Sequence, residues 1–166
     1  MNRELAKKIE EMAKEDQKIR HASLMAKSYA KRVKTVDRKN LHEMKEIVKV
    51  YGWPTISVVG GSASDLAWLL VQHADSDVQF QKKCLSLMKH HLNKNDVSKK
   101  NVAYLIDRIR VNEGKKQIYG TQFYKDRDGT MKPSPIWNIK SIEKRRRKAK
   151  LEPFKKYSEV VKKMFN

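Results

Sequence analysis

The sequence predicts a mainly α fold class: a single-domain helical bundle over residues 1–166, built around a buried central helix, with one β-hairpin near residues 117–137. Residues 66–71 form the longest apolar run and are apolar on all sides, which is typical of a buried helix. The flanking segments repeat apolar residues at intervals of three and four, which is the helical period. Residues 117–124 instead alternate and are rich in aromatic and β-branched residues, which favours a strand.

The first half of the chain predicts three helices before residue 80. Residues 3–28 form one amphipathic helix, and residues 38–50 form a second one, with Thr35 or Asp37 as its cap. Gly52 and Pro54 end the second helix, because glycine adopts a left-handed cap and proline cannot continue a helix. Residues 56–59 are predicted as a short extended piece, and a glycine-serine turn at residues 60–64 opens the central helix.

The second half predicts a helix up to about residue 92, another over residues 98–112, and then the hairpin. Residues 126–129 give the turn signal, and Pro133 and Pro135 confine the returning strand to an edge. Gly120 indicates a bulge or a close approach of the backbone to another group. A basic helix over residues 139–150 and a last helix over residues 154–165, separated by Pro153, complete the chain.

Composition limits the class of protein. A chain of 166 residues has the length of one domain with one core. No apolar run approaches the ~18 residues that a membrane helix needs, and the charged N-terminus lacks a signal-peptide core, so we expect a cytoplasmic protein without a membrane partner. The single cysteine, Cys84, excludes an intramolecular disulfide. Oligomeric state is not predicted.

The net charge is +19, from 38 Lys and Arg against 19 Asp and Glu. Two interpretations remain open. The excess is either a solvated surface, because basic pairs are spread along the whole chain, or a surface that binds nucleic acid. The second interpretation depends on the one dense basic cluster, which consists of Lys144, Arg145, Arg146, Arg147 and Lys148.

Polar residues lie where a helical period requires apolar ones. His73 projects from the same side of the central helix as Leu66 and Leu69, so its imidazole faces the core, where an unpaired polar group costs roughly 1–3 kcal/mol. Asp75 or Asp77 is the predicted partner that orients it. The alternative is a core histidine followed by a helix break, with Ser76 as N-cap and Gln79 closing a capping box.

Asp16 and Arg20 lie near the middle of the apolar stripe of the first helix, with Gln17 on its flank. A charged pair on a buried face is rare unless it is paired or functional. The alternative to a functional pair is an Asp16–Arg20 ion pair that only sets the helix register.

Several short motifs resemble one family. They are Asp16-Gln17 with Arg20, Tyr51-Gly52-Trp53-Pro54-Thr55, Val59-Gly60, Gln72-His73-Ala74-Asp75 with Asp77, Ala103-Tyr104-Leu105 with Asp107-Arg108, and Gln117 with Tyr119-Gly120-Thr121-Gln122. Together they resemble the widespread bacterial domain-of-unknown-function family 6624, over roughly residues 5–157. The resemblance implies one intact domain and supplies no activity.

The polar residues at these otherwise apolar positions, together with those of the hairpin, are of the types that form an active site. The sequence therefore favours a metal-independent acid–base enzyme of hydrolase or transferase type that acts on a polar or anionic small ligand. His73 is the predicted acid or base, with Asp75 and Asp77 as the other catalytic residues. The predicted substrate-binding residues are Asp16, Gln17, Arg20, Trp53, Asp107, Arg108, Gln117, Tyr119, Thr121 and Gln122.

No cofactor and no metal are predicted, because the sequence lacks Cys-x-x-Cys, His-x-x-x-His and dense acidic clusters, although one histidine with two aspartates can hold a single metal weakly. Two alternatives to an enzyme remain: a nucleic-acid-binding module and a protein that binds a small ligand without converting it.

Overall fold

A computed structural model describes residues 1–21 and 29–165. It is mainly helical with one two-stranded antiparallel hairpin, which confirms the predicted fold class. The chain divides into two compact units, Met1–Ser98 and Lys99–Asn166, which are described separately below. Within the described residues, no helix is long and apolar enough to cross a membrane.

The first unit contains five α-helices in the part of the chain that the structure describes: α1 Arg3–His21, α2 Tyr29–Tyr51, α3 Ile56–Val59, α4 Gly61–Gln72 and α5 Val78–His90. A 3-10 turn, Leu92–Lys94, follows α5. Helix α4 is the predicted central helix and packs against α1, α2, α3 and α5. Its residues Ala67, Leu70 and Val71 are buried, whereas Leu66, Trp68 and Leu69 are partly buried, so only half of the run lies fully in a core.

Two elements of the first unit differ from the prediction. Helix α2 begins at Tyr29, so Thr35 and Asp37 lie within it and do not cap it. No glycine or proline interrupts residues 29–51, and the Thr35 hydroxyl donates to the Lys31 carbonyl oxygen four residues earlier, as helical threonines do. The predicted end of the first helix at residue 28 lies outside the described residues.

Residues 56–59 form a helical turn where an extended piece was predicted. Thr55 caps this turn without a side-chain hydrogen bond, while the Ile56 and Ser57 backbone N–H groups donate to the Asp96 carbonyl and carboxylate oxygens. Asp96 therefore satisfies two of the N–H groups that a helix N-terminus leaves unpaired. A short apolar run fits a strand or a helix equally well, and this contact from a distant residue decides between them.

The second unit contains α6 Lys99–Asn112, the strands β1 Phe123–Lys125 and β2 Met131–Pro133, a 3-10 turn Ile139–Ser141, α7 Ile142–Lys148 and α8 Phe154–Phe165. The strands pair with Phe123 opposite Pro133 and Lys125 opposite Met131. Residues 117–122 were predicted as part of the first strand but form a loop, joined to the returning chain by one isolated bridge between Gln117 and Ile136.

The core of the second unit is built from side chains of α6, of the residues that follow α7 and of the loop over residues 117–122. Ala103, Ala149 and Leu151 are buried together, with Tyr104 and Tyr119 packed against them. The predicted close approach at Gly120 is confirmed, because a Cβ atom there would lie 2.7 Å from Cε2 of Phe154. Gly120 also has a φ of +70°, which glycine adopts at little cost.

Candidate functional site

Four polar side chains of the first unit meet at one point, which we call the Asp16 cluster: Asp16 and Arg20 from α1, Asp37 from α2 and His73 at the C-cap of α4. Nδ1 of His73 lies 3.0 Å from Oδ2 of Asp16 and 3.2 Å from Oδ1. Nε of Arg20 lies 3.2 and 3.1 Å from the same two oxygens, and Nη2 of Arg20 contacts Oδ1 of Asp37. The buried Asp16 carboxylate thus accepts hydrogen bonds from both a histidine and an arginine.

Asp16 is the buried centre of this cluster, with 0% of its side chain exposed. Burial raises its pKa, but hydrogen bonds and charge from His73 and Arg20 outweigh burial and lower the pKa from 3.8 to about 2. Gln17 adds a third donor, since its Nε2 lies 2.8 Å from Oδ2 of Asp16. Asp16 is therefore an anion throughout the physiological pH range.

Asp37 and Arg20 form the outer part of the cluster, and each is about one quarter exposed. Burial raises the pKa of Asp37, and the opposing attraction of Arg20 and His73 does not reverse this. The Arg20 guanidinium therefore bridges two carboxyl groups with different proton affinities. Asp37 was considered only as a helix cap. A sequence signal that Asp37 lies beside the core was its position one turn before Asn40, on the face of α2 that also buries Val36 and Met44.

The contact with Asp16 determines which nitrogen of His73 carries the proton in the neutral ring. A carboxylate only accepts hydrogen bonds, so Nδ1 must be the donor and Nε2 is left with its lone pair. His73 is 18% exposed, and its Nε2 makes no hydrogen bond within residues 1–21 and 29–165. This arrangement presents a basic nitrogen whose ring is held by a buried anion.

Asp75 and Asp77, which the sequence assigns to His73, make other contacts. Asp77 is the N-cap of α5, accepting a hydrogen bond from the Phe80 backbone N–H at 2.8 Å, and it pairs with Lys45 at 2.7 Å. Oδ1 of Asp75 accepts from Nε2 of the buried Gln81 at 3.3 Å. The reason is that α4 ends at Gln72, so residues 74–77 do not continue its face. The predicted Ser76 cap is also wrong, because Asp77 occupies that position.

The cluster also offers the ligand atoms of a small metal site. One ligand atom each from Asp16, Asp37 and His73 lie within 4.8 Å of one another. The Arg20 guanidinium already contacts both carboxylates, so a divalent ion would have to displace it. These candidate metal ligands differ from His73, Asp75 and Asp77, the residues that the sequence suggested for a weak metal site.

In the second unit, the buried carboxylate of Asp107 organises the loop over residues 117–122. It accepts hydrogen bonds from the backbone N–H groups of Ile118 at 2.6 Å, Tyr119 at 3.0 Å and Thr121 at 3.0 Å, and from the Thr121 hydroxyl at 3.0 Å. Burial raises the pKa of Asp107, although these hydrogen bonds act in the opposite direction. Asp107, which sequence analysis predicted as a substrate-binding residue, is completely buried.

The side chains of Gln117 and Gln122 complete this loop. Gln117 is fully buried: its Nε2 donates to the carbonyl oxygens of Gln122 and Ser134, and its Oε1 accepts from the Gln122 N–H. Nε2 of Gln122 donates to the Thr121 hydroxyl, and Oε1 of Gln122 accepts from Arg108 at 3.1 Å. The predicted substrate-binding residues of this unit thus contact the loop itself in the structure.

Two arginines of the basic cluster, which sequence analysis considered as solvated surface or as a nucleic-acid-binding segment, also hold this loop. Arg145 donates to the carbonyl oxygens of Ile118, Trp137 and Asn138. Arg146 is 1% exposed and donates to the carbonyl oxygens of Tyr119 and Glu152. Their position between exposed basic neighbours in the sequence gave no signal of this role.

A family model described as a family of unknown function, DUF6624, matches residues 3–166. The chain belongs to this family. No curated protein and no solved structure matches the chain significantly. Membership of DUF6624 brings no activity with it, so the chemistry of this family member must come from its side chains.

The motifs of this DUF6624 protein separate into two groups by their contacts. Asp16, Gln17, Arg20 and His73 meet in the first unit, while Asp107, Arg108, Gln117, Thr121 and Gln122 form one hydrogen-bonded group in the second. Trp53 is 3% exposed and belongs to the core of the first unit. Cys84 is buried, and burial raises its pKa to about 12.

Proposed function

We propose that the Asp16 cluster is the catalytic centre of a small metal-independent acid–base enzyme, of hydrolase or transferase type, that acts on a polar or anionic small substrate. The observation that carries the proposal is the 3.0 Å contact between Nδ1 of His73 and the buried Asp16 carboxylate. Side chains of this kind, a histidine oriented by a carboxylate, contribute about 10²- to 10⁴-fold to proton-transfer reactions.

His73 would act first as the base. Its Nε2 takes a proton from a water molecule or a substrate hydroxyl while the oxygen attacks the substrate, and the resulting imidazolium returns the proton to the leaving group. The Asp16 carboxylate stabilises the imidazolium and remains ionised, because its pKa of about 2 is far below neutral pH. No proton needs to pass to Asp16.

Arg20 would bind the charge of the substrate. Its Nε and Nη2 atoms are held by Asp16 and Asp37, whereas its Nη1 makes no hydrogen bond with the residues that the structure describes. A guanidinium fixed at two positions loses little conformational freedom on binding, which favours recognition of an anionic group. Asp37 would keep the guanidinium near the imidazole when the substrate is absent.

A thermal-shift screen identifies the ligand. Wild type, His73→Ala and the control His42→Ala, which changes an exposed histidine, are tested against nucleotides, sugar phosphates, amino acids and peptides. A ligand at 100 times its Kd adds roughly 2.7 kcal/mol of stability. We expect a small-molecule shift in wild type and His42→Ala that disappears in His73→Ala.

The same ligand is then incubated with the three proteins and its products are separated. We expect turnover by wild type and His42→Ala, and a loss of at least about 10²-fold in His73→Ala. Binding that needs His73 but yields no product would replace the enzyme with a ligand-binding protein. A shift that His73→Ala retains would exclude the Asp16 cluster as the site.

A further inference from the structure

The charge of the protein is concentrated in the second unit. Residues 99–166 contain 20 Lys and Arg against 7 Asp and Glu, whereas residues 1–98 contain 18 against 12. The second unit therefore carries +13 of the total of +19 on fewer than half of the residues. Such a density of positive charge attracts polyanions, and the arrangement of the basic side chains on the surface determines which polyanion binds.

Helix α7 presents part of this charge on one face. Lys144, Arg147 and Lys148 are exposed and lie three and four residues apart, while Ile142, Arg146 and Ala149 are buried on the opposite side. Lys140 is exposed one turn earlier, in the 3-10 turn that leads into α7. None of these four basic residues pairs with a carboxylate in the described part of the chain.

An aromatic ring lies beside this helix and is held in place. Trp137 is 50% exposed, and the Arg145 guanidinium lies over its ring at 5.2 Å from the centroid. Arg145 cannot readily move, because it also donates to the Ser141 hydroxyl at 2.7 Å and to the carbonyl oxygens of Ile118 at 2.7 Å and Trp137 at 2.8 Å. Trp137 is thus a fixed and half-exposed ring next to a row of cations.

We propose that this surface, which we call the Trp137 face and which consists of Trp137, Lys140, Lys144, Arg147 and Lys148, binds single-stranded nucleic acid. A tryptophan that is already backed by a guanidinium offers a platform on which an unpaired base can stack. The four basic side chains contact phosphate groups along the backbone of the bound strand. The bases of a duplex are already stacked on one another, so the ring selects single strands.

The first test separates stacking from charge. Binding of the full-length protein is measured by fluorescence anisotropy with a labelled oligothymidylate and with an abasic oligonucleotide of equal length, which keeps the phosphates and lacks the bases. We expect the oligothymidylate to bind roughly 5- to 150-fold more tightly, as one stacked base predicts. Trp137→Ala should remove this difference, while Trp137→Phe should retain most of it. Equal binding of the two oligonucleotides by wild type would overturn the proposal.

The second test concerns the cations. The dependence of log K on log salt concentration should be shallower by about 1.4 in Lys140→Gln/Lys144→Gln, because each phosphate contact on a single strand contributes about 0.7. The control Lys14→Gln/Lys18→Gln removes the same charge at the same spacing from exposed positions of α1. It should leave the slope unchanged, and an equal reduction in both variants would show general attraction of polyanions and overturn the proposal.

A third readout comes from the protein itself. Of the three tryptophans, Trp53 is buried and Trp68 is partly buried, so Trp137 is the ring that a ligand reaches most easily. We expect oligothymidylate to quench the tryptophan fluorescence of wild type and of His73→Ala, and not that of Trp137→Ala. Oligouridylate tests whether RNA is also bound. A duplex of equal length tests the preference for single strands, and tighter binding of the duplex would contradict recognition by stacking.

Discussion

His73 Nδ1 lies 3.0 Å from Oδ2 of Asp16, although 57 positions separate the two residues in the chain. The contact joins the C-cap of α4 to the C-terminal part of α1, on which α4 packs. It gives a partly buried histidine a buried anionic partner. The proposed chemistry of the first unit rests on this contact.

The first prediction concerns the acid stability of Asp16→Asn. The folded-state pKa of Asp16 is about 2, below its ordinary value of 3.8, so the unfolded state takes up the proton first as the pH falls. The stabilising contribution is therefore complete above about pH 4 to 5 and is lost as the pH falls through about 2. The shift corresponds to about 2 kcal/mol.

Urea unfolding of wild type and Asp16→Asn at pH 5 and pH 2 measures this contribution. The difference in the free energy of unfolding should be larger at pH 5 by about 2 kcal/mol. A difference that is equal at the two pH values would show that Asp16 does not titrate in this way.

The second prediction concerns Asp107→Asn. An asparagine side chain has one acceptor oxygen and turns an NH₂ group toward N–H donors that now face a carboxylate. Because leaving a buried donor unpaired costs roughly 1–3 kcal/mol, we expect a loss of at least about 2 kcal/mol. Hydrogen exchange at the Ile118, Tyr119 and Thr121 amides should accelerate. Asp128→Asn, in the exposed hairpin turn, is the control and should leave these amides protected.

The third prediction compares two glycines with the same backbone conformation. Gly120 and Gly114 both have a φ of +70°, but a Cβ atom would meet Phe154 at 2.7 Å at Gly120 and nothing within 4 Å at Gly114. The two alanine variants therefore share the cost of a left-handed residue, and only Gly120→Ala adds a steric clash. We expect Gly120→Ala to be the less stable variant by more than about 1 kcal/mol in denaturant unfolding. Similar values would show that Phe154 moves aside.

The fourth prediction concerns two arginines in one basic run. Arg145 donates through three nitrogens to four oxygens, an arrangement that one lysine ammonium cannot reproduce, whereas Arg147 is exposed. We expect Arg145→Lys to cost about 1–3 kcal/mol and Arg147→Lys to change stability by less than about 0.5 kcal/mol. Thermal unfolding of the two variants, which keep the same net charge, measures this. Equal and small losses would mean that Arg145 is replaceable in its role of holding the loop and Trp137.

The helices were predictable because their signals are local. The bounds of α6 and α8 follow apolar periods and breakers that lie within a few residues of each end, and the hairpin follows the turn at residues 126–129. Where the local signal was ambiguous, the prediction failed: residues 56–59 form a helical turn because Asp96 binds their N–H groups. Residues 117–122 form a loop because Asp107 gathers three of their N–H groups.

The sequence by itself determined that Asp16, Arg20 and His73 lie on faces otherwise reserved for apolar residues, since a face follows from the helical period. It also determined the fold class and the net charge of +19, whereas the boundary after residue 98, which shows where that charge is concentrated, came from the structure. Only the tertiary structure decided the partners: Asp16 for His73, Asp37 for Arg20, and the loop carbonyls for Arg145 and Arg146. The physical reason is that a buried polar group requires a hydrogen-bond partner of suitable chemistry, and several residues meet that requirement until packing brings one of them within reach.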